Sequence, residues 1–449
     1  MNILNNINNA IWGWPFILLL FGTHIFLTFR LKWIQKYTGK AIRMSMQTTG
    51  DGRGDIGHFG ALTTALAATI GTGNIVGVAT AIALGGPGAV LWIWLTGVFG
   101  IATKYGEAVL SIKYRIKTSK GHFAGGPMYV LQLGLKCKWL AICFAVFTAI
   151  AAFGIGNSVQ ANSVAVLVQE TFRISPWITG VVMTILTALV ILGGIKSISK
   201  VCEALVPFMA ISYCGGCLII LCMHWQSIPH TLGVILSGAF NGQAAMGGFI
   251  GAGVRETIRY GIARGLFTNE SGMGSAAIVA VAAKTKNPVE QALVSSTGTF
   301  WDTVVICAIT GLVLVNSGHW AQGLNGAALT KAAFADIPVL GPIILCTGLL
   351  TFVFATIIGW SYYGERAIEY LFGHKAVQPY RWLWVVVVMV GSVVSMPMVW
   401  TFSDITNALM AFPNLVSLIL LNGVIVNETR KHLWAPSLKA QCVALPTKS

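Results

Sequence analysis

Charge is what this chain has least of: of its 449 residues only 10% are Asp, Glu, Lys or Arg, and only 14 are acidic against 29 basic. An ordinary soluble domain carries about 25% charged residues, so a fold of this size has too few ionisable groups to coat a water-exposed surface. Long polar segments are also missing; the longest are 35–58 and 316–336, which leaves no room for a soluble domain. No intramembrane His-x-x-x-His, Gly-x-Ser-x-Gly or Asp pair appears, and the eight His are scattered at loops and at the ends of apolar runs, which argues against an embedded enzyme. The nine cysteines lie mainly inside apolar runs rather than polar loops, so a disulfide framework is not expected. Cys214 and Cys217 form a CxxC within such a run, with no His or second pair beside it, and read as packing rather than as a metal site.

Apolar sequence takes the place of charge. Hydrophobic residues make up 55% of the chain and the mean hydropathy is +0.74, and a membrane-spanning helix needs roughly 20 mostly apolar residues. Windows of that kind fall near 11–30, 58–83, 88–113, 139–169, 177–195, 203–223, 255–283, 290–315, 340–363, 382–401 and 404–427, which predicts an all-α polytopic membrane protein of about eleven helices. The first window has no basic lead and no small-residue cleavage site, and is expected to be a retained helix rather than a signal peptide.

The net charge of +15 would suggest nucleic acid in a soluble protein, but here the basic residues gather in short loops between apolar runs, where they set orientation. No Lys or Arg precedes the first span, whereas Arg30, Lys32, Lys36, Lys40, Arg43 and Arg53 follow it, which predicts an outside N-terminus. Alternation then puts Lys113 to Lys120, Lys136 and Lys138, Lys196 and Lys200, Lys284 and Lys286, Arg366 to Arg381, and Arg430 and Lys431 inside, with the C-terminus. Arg255, Arg259 and Arg264 break the rule: they fall on the outward half of the seventh span or just before it, and must face protein or water rather than lipid. The expected organisation is one membrane domain over 1–449, with an extra N-terminal helix at 11–30, halves at 58–223 and 255–427, and a cytoplasmic tail at 428–449.

Two spans carry polar interruptions near their middles: Ile70-Gly71-Thr72-Gly73-Asn74, and the stretch from Gly265 through Phe267-Thr268-Asn269-Glu270 to Gly274. An unpaired backbone group in hydrocarbon costs several kcal/mol, so unwinding is tolerated only where protein, water or a ligand satisfies it. One break begins the five-span set two to six and the other begins the set seven to eleven; five is odd, so the expected repeats are inverted. Paired Gly-interrupted helices at matching places in two halves point to a secondary transporter with a midplane site. Free amides at such breaks can hold a carboxylate, and exposed carbonyls a dehydrated cation. The competing reading of the glycines is close helix packing alone.

The segments Gly71-Thr72-Gly73-Asn74 and Gly85-Gly86-Pro87-Gly88-Ala89 with Trp92 and Trp94 resemble the alanine or glycine:cation symporter family. Lys104-Tyr105-Gly106-Glu107, Gly125-Gly126-Pro127-Met128-Tyr129, Arg264 to Glu270 and Gly359-Trp360-Ser361-Tyr362-Tyr363-Gly364-Glu365 extend the likeness over most of the chain. Leu91-Trp92-Ile93-Trp94 and Gly97 depart from the family's usual Phe-Trp-Met-Trp and small Ala, Ser or Thr. The resemblance implies the ten-helix, 5+5 inverted-repeat fold of leucine-type sodium symporters with one helix added in front. It implies substrate contacts at Gly71, Thr72, Gly73 and Asn74, at Phe267, Thr268 and Asn269, with Gln160 as a third wall, and Phe267 and Trp360 as apolar lids that restrict the cargo to small side chains. Gln160 can equally bridge two helices. Sodium is implied at the main-chain carbonyls of Ala67 and Ile70 and the hydroxyl of Thr356, while Ala355 withholds the second hydroxyl that the fold often supplies.

Glu270 has two open readings, ion-pair partner or brace on the one hand and proton carrier or direct ligand on the other; Arg264 would neutralise it if the break folds back. Asp302, Asp404 and Glu107 are expected at helix ends or in polar bridges, with Asp404 opening the last span. The functional expectation is sodium-coupled symport of alanine or glycine across a bacterial plasma (inner) membrane by a single chain with no cofactor and no nucleic-acid partner. A proton-coupled or glutamine/serine carrier of the same fold, and less so a channel, are the alternatives.

Overall fold

The computed structural model describes residues 2–46, 52–118, 121–241, 253–394 and 397–435; Lys120 and positions 436–449 of the expected tail lie outside the described residues. Almost everything described is helix, and the strand pairing is a two-stranded antiparallel ribbon of Ile116–Lys117 with Phe123–Ala124. Seven helices are long and apolar enough to cross a membrane: Ala89–Lys113, Lys138–Phe172, Gly194–Met223, Pro288–Asn316, Leu340–Phe372, His374–Val393 and Ser403–Leu420. Two further spans arise if each bent pair is counted as one, Trp14–Arg30 with Ile34–Ser45 at 67° and His58–Thr69 with Gly73–Gly85 at 53°.

The described helices therefore give seven to nine spans, against about eleven expected from apolar windows. The difference has two sources. The window at 177–195 is realised as the 16-residue helix Pro176–Ile191, about 24 Å long at 1.5 Å per residue and short of the roughly 30 Å hydrocarbon core. The window at 255–283 is divided into Val254–Asn269 and the six-residue Ser275–Ala280. A helix at Ile228–Asn241, where no element was expected, packs on Ala89–Lys113; the Trp92 indole N–H donates to the Ala239 carbonyl at 3.2 Å.

Burial follows position in the bundle. Leu340–Phe372 packs against Lys138–Phe172, His58–Thr69 and Gly194–Met223, while Ala89–Lys113 packs against Pro288–Asn316 and Val254–Asn269. The peripheral helices instead turn apolar side chains outward, among them Val181, Ile185 and Leu189 on Pro176–Ile191 and Phe208 and Ile211 on Gly194–Met223, which is the surface that lipid covers. At one end of the bundle the Arg115 guanidinium donates to the carbonyls of Val281, Ala283 and Arg53 at 3.1, 3.2 and 2.9 Å. Isolated bridges pair Arg53 with Thr285 and Ile56 with Ala283, which ties the approaches to the two interrupted helices together.

Candidate functional site

The first break is made by one side chain. Helix His58–Thr69 ends, Ile70 turns extended at ψ 98°, and a π-helical turn at Gly73–Gly77 starts the second half. Asn74 Oδ1 accepts the Gly71 N–H at 2.9 Å, so the Ala67 carbonyl loses the donor that a continuous helix would supply four residues on. The Asn74 N–H bonds to Gly71 O instead of Ile70 O, and the Ile70 carbonyl accepts the Thr356 hydroxyl at 3.2 Å. The other end of the Asn74 amide donates to Asp302 Oδ1 at 2.7 Å and to Cys307 Sγ at 3.2 Å. Asn74 is fully buried and engaged at both ends.

Helix Leu340–Phe372 approaches this opened backbone closely because Gly359 has no side chain: a Cβ there would lie 2.7 Å from the Ala68 nitrogen and 2.9 Å from its Cα. Thr356, one turn earlier, is thereby placed against Gly71, where a Cβ would meet its hydroxyl at 2.7 Å and Gln160 Oε1 at 3.6 Å. Gln160 donates to the Ile155 carbonyl at 3.0 Å, and its Oε1 is buried without a hydrogen-bond partner, as are Thr72 Oγ1 and Asn269 Nδ2. Ile70, Gly71, Gln160 and Thr356 thus meet at the first break, with Ala67 and Thr72 beside them in the chain.

The second break joins them. Val254–Asn269 ends in Glu270, left-handed at φ 54°, followed by Gly272 at 92° and Gly274 at 80°, conformations that glycine adopts freely. Glu107, 1% exposed in the last two turns of Ala89–Lys113, holds this turn: its Oε1 accepts the N–H of Gly272 at 2.8 Å, that of Gly274 at 3.0 Å and the Asn414 amide at 2.7 Å. Phe267 and Thr268 press on Gly73, whose Cβ would lie 3.2 Å from the Phe267 ring and 3.0 Å from Thr268 Cγ2. Asn269 caps the turn, its Oδ1 accepting the Ser271 N–H at 2.9 Å.

Glu270 does not pair with Arg264. Its Oε1 accepts the Trp360 indole N–H at 3.0 Å and its Oε2 accepts the Ser275 hydroxyl at 2.5 Å. The left-handed turn sends Glu270 inward, whereas Arg264 stays on the helix before the break, stacked 5.6 Å over the Phe267 ring. Lys104, 2% exposed, is a buried cation on the same helix as Glu107, and its Nζ has no hydrogen-bond partner. Asp404 stands at the start of the span Ser403–Leu420, but about two turns inside the helix, which begins at Pro397; with Arg264 it lines a cavity of about 350 Å³ whose wall includes Thr72, Gly73 and Phe267. Asp302 and Glu107 lie inside spans as polar bridges. Glu107 and Asp302 were expected only at helix ends or as polar bridges, and Asn414 was not singled out, although an acid or amide inside an apolar run was the available signal.

Two opened helices thus meet beside buried polar atoms that have no hydrogen-bond partner, Thr72 Oγ1, Gln160 Oε1 and Asn269 Nδ2. Residues 1–442 match the model of the sodium:alanine symporter family. The chain belongs to that family. It is therefore a multi-pass membrane transporter of the amino-acid symport class and not an enzyme. This symporter is 51% identical over 441 residues to the sodium/alanine symporter AgcS of Methanococcus maripaludis, covering 96% of each chain. It is 47% identical over 436 residues to a transporter of Haemophilus influenzae, again covering 96% of each. Among solved structures it shares its fold, at 11% identity and a TM-score of 0.53, with a Na+-coupled sialic acid symporter in a substrate-bound outward-open state, over 94% of this chain and 85% of that one.

Proposed function

We propose that this protein is a sodium-coupled symporter that carries a small neutral amino acid, alanine or glycine, into the cell. The observation that carries the reading is the backbone at the first break: Asn74 withdraws the Gly71 amide from the Ala67 carbonyl, and the Ile70 carbonyl faces the Thr356 hydroxyl at 3.2 Å. Three neutral oxygens held by helices on two sides suit a hard monovalent cation, and binding there draws Leu340–Phe372 onto the first broken helix. Sodium takes this position in the reading, with the substrate carboxylate on the amides of Thr72 and Gly73 and the side chain directed towards Gln160, Phe267 and Trp360.

Trp360 is the residue that limits size. Its ring is held by the Glu270 carboxylate on the N–H, by Tyr363 edge-on with centroids 5.4 Å apart, and by Gly156, where a Cβ would lie 2.3 Å from Trp360 Cβ. A side chain pinned on three sides does not swing away to admit a larger substrate. Arg264 is not part of this central site, and Glu270 serves as the brace of Trp360 rather than as its ion-pair partner.

The eleven-span count, with inverted halves at 58–223 and 255–427 and an added N-terminal helix, belongs to the same proposal, as do an outside N-terminus, a single-chain working unit and alternating access. Sodium and substrate would favour the same outward-facing state, which is what coupling requires. The test is uptake of radiolabelled alanine into proteoliposomes with and without an inward sodium gradient. A large stimulation by the gradient is expected, and equal rates with and without it sink the sodium-coupled reading.

A further inference from the structure

Arg264 and Asp404 are charged residues in the membrane-embedded half of the fold that the central site does not use. They stand on different helices, Val254–Asn269 and Pro397–Leu420, and both line two adjoining cavities. The larger, about 350 Å³, reaches Thr72 and Gly73 at the first break and has Phe267 in its wall. The smaller, about 100 Å³, is walled by Asn8 and Trp12 of the N-terminal segment and by Arg259 and Tyr260. The Arg264 guanidinium lies over the Phe267 ring, 5.6 Å from its centroid. The Asp404 backbone is fixed from the other side, its carbonyl accepting the Trp12 indole N–H at 3.1 Å. In the larger cavity one positive and one negative group thus line a shared space that adjoins the proposed central site, while Arg259 adds a second cation in the wall of the smaller one.

We propose that this anteroom is a second amino-acid subsite, which receives the zwitterion with its carboxylate on Arg264 and its ammonium on Asp404 before it passes Phe267. The proposal rests on the reading of the cargo as a small amino acid. Each part has a physical reason. A guanidinium binds a carboxylate through two parallel N–H donors; ionisable groups held at membrane depth are costly and mark a pathway; and low-dielectric walls focus the field of the two charges on the space between them. Opposite charges on opposite walls also orient the substrate, so that it reaches the amides of Thr72 and Gly73 carboxylate first. The N-terminal segment gains a role here: Asn8 and Trp12 complete the wall and Trp12 anchors the Asp404 backbone.

Two measurements test it. In proteoliposomes, Arg264→Gln and Asp404→Asn are each expected to raise the alanine KM about five- to tenfold, as for a lost partly exposed charge-assisted contact, with a smaller fall in maximal rate. The double swap Arg264→Asp with Asp404→Arg is expected not to restore KM, because the charges then orient the zwitterion backwards. Single variants with KM within about twofold of the wild type, or a swap that restores it, overturn the subsite; the second result would make Arg264 and Asp404 a structural pair. The other measurement does not depend on these variants folding. Thr80→Cys places a thiol in the wall of the larger cavity, and alanine added without sodium is expected to slow its modification by a charged methanethiosulfonate, relative to the parent chain. An unchanged labelling rate overturns the proposal. A wild-type chain that takes up no alanine defeats the functional reading instead, and is recognised because there is no KM to compare.

Discussion

Replacing Asn74 by Ala should close the first break, and the cost can be worked from its hydrogen bonds. In the native chain the Gly71 N–H is held by Asn74 Oδ1 at 2.9 Å, which leaves the Ala67 carbonyl without its helical donor. In Asn74→Ala that N–H is released inside the protein, where leaving it unsatisfied costs about 1–3 kcal/mol. The Ala67 carbonyl four residues back is the acceptor a helix offers, so the backbone rewinds by one bond. Sodium must then break that bond to reach the oxygen, and the same 1–3 kcal/mol appears as a rise of about 5- to 150-fold in the half-saturating sodium concentration. The assay is sodium activation of alanine uptake in proteoliposomes at fixed alanine. A melting curve belongs beside it, because Asp302 also loses a donor at 2.7 Å, and this second loss lowers stability by about 1.5–3 kcal/mol without bearing on the cation. An Asn74→Ala protein that folds and keeps the wild-type sodium dependence refutes the link between this side chain and the freed carbonyl.

Gly359→Ala puts a methyl 2.7 Å from the Ala68 nitrogen; overpacking of this kind costs about 1–3 kcal/mol, so a lower melting temperature with weaker sodium activation is expected, and a neutral variant would show that the two helices are not in the contact described. Trp360→Phe keeps an apolar ring but loses the N–H that Glu270 holds at 3.0 Å; uptake of 2-aminobutyrate relative to alanine should rise about tenfold, equivalent to about 1.4 kcal/mol. Glu270→Gln, which still accepts that bond, should keep the wild-type ratio, and a parallel change in both variants would remove Glu270 as the brace. At the basic end of the bundle, burial pushes the Glu428 carboxyl up, but Lys113 at 2.9 Å, with Lys431 and His432, outweighs it and holds the group below its ordinary range. A carboxyl depressed in the folded state stabilises above its unfolded pKa of about 4.3 and loses that contribution as pH falls through the folded value. The melting-temperature gap between wild type and Glu428→Gln should therefore be full near neutrality and shrink below about pH 4; a gap independent of pH contradicts the ion pair.

The two interrupted helices were legible because Gly71-Thr72-Gly73-Asn74 and Gly265 to Gly274 set polar and glycine residues in the middle of apolar runs, where hydrocarbon offers no partner for a released backbone group. Arg255, Arg259 and Arg264 were legible as misplaced charge; Arg259 and Arg264 line a cavity wall, and Arg255 lies over the Trp14 ring. The pairing of Arg264 with Glu270 was left open on the condition that the break folds back, because six residues of separation say nothing about which way a left-handed turn sends its side chain; Glu270 turns to Trp360 and Ser275 instead. Asn74 was read as a substrate contact, and its position at the break is as expected, but both ends of its amide are taken up by Gly71 and by Asp302, 228 residues away. Glu107 was set aside as a bridge, and its three donors at Gly272, Gly274 and Asn414 make it the post on which the second break hangs.

Composition and local order alone were enough to determine a lipid-covered helical protein, the places where its helices open and the family to which it belongs. Hydropathy and helix-breaking chemistry act over a few residues, and those residues are adjacent in the chain. The partners that hold the opened backbone were decided only by tertiary structure: Thr356 on Ile70, Asp302 on Asn74, Glu107 on Gly272 and Trp360 on Glu270. Each joins helices 90 to 286 residues apart, and packing rather than sequence spacing sets which side chains meet at that depth. The anteroom of Arg264 and Asp404 is of the same kind, since neither charge has a meaning until two helices place them across one cavity.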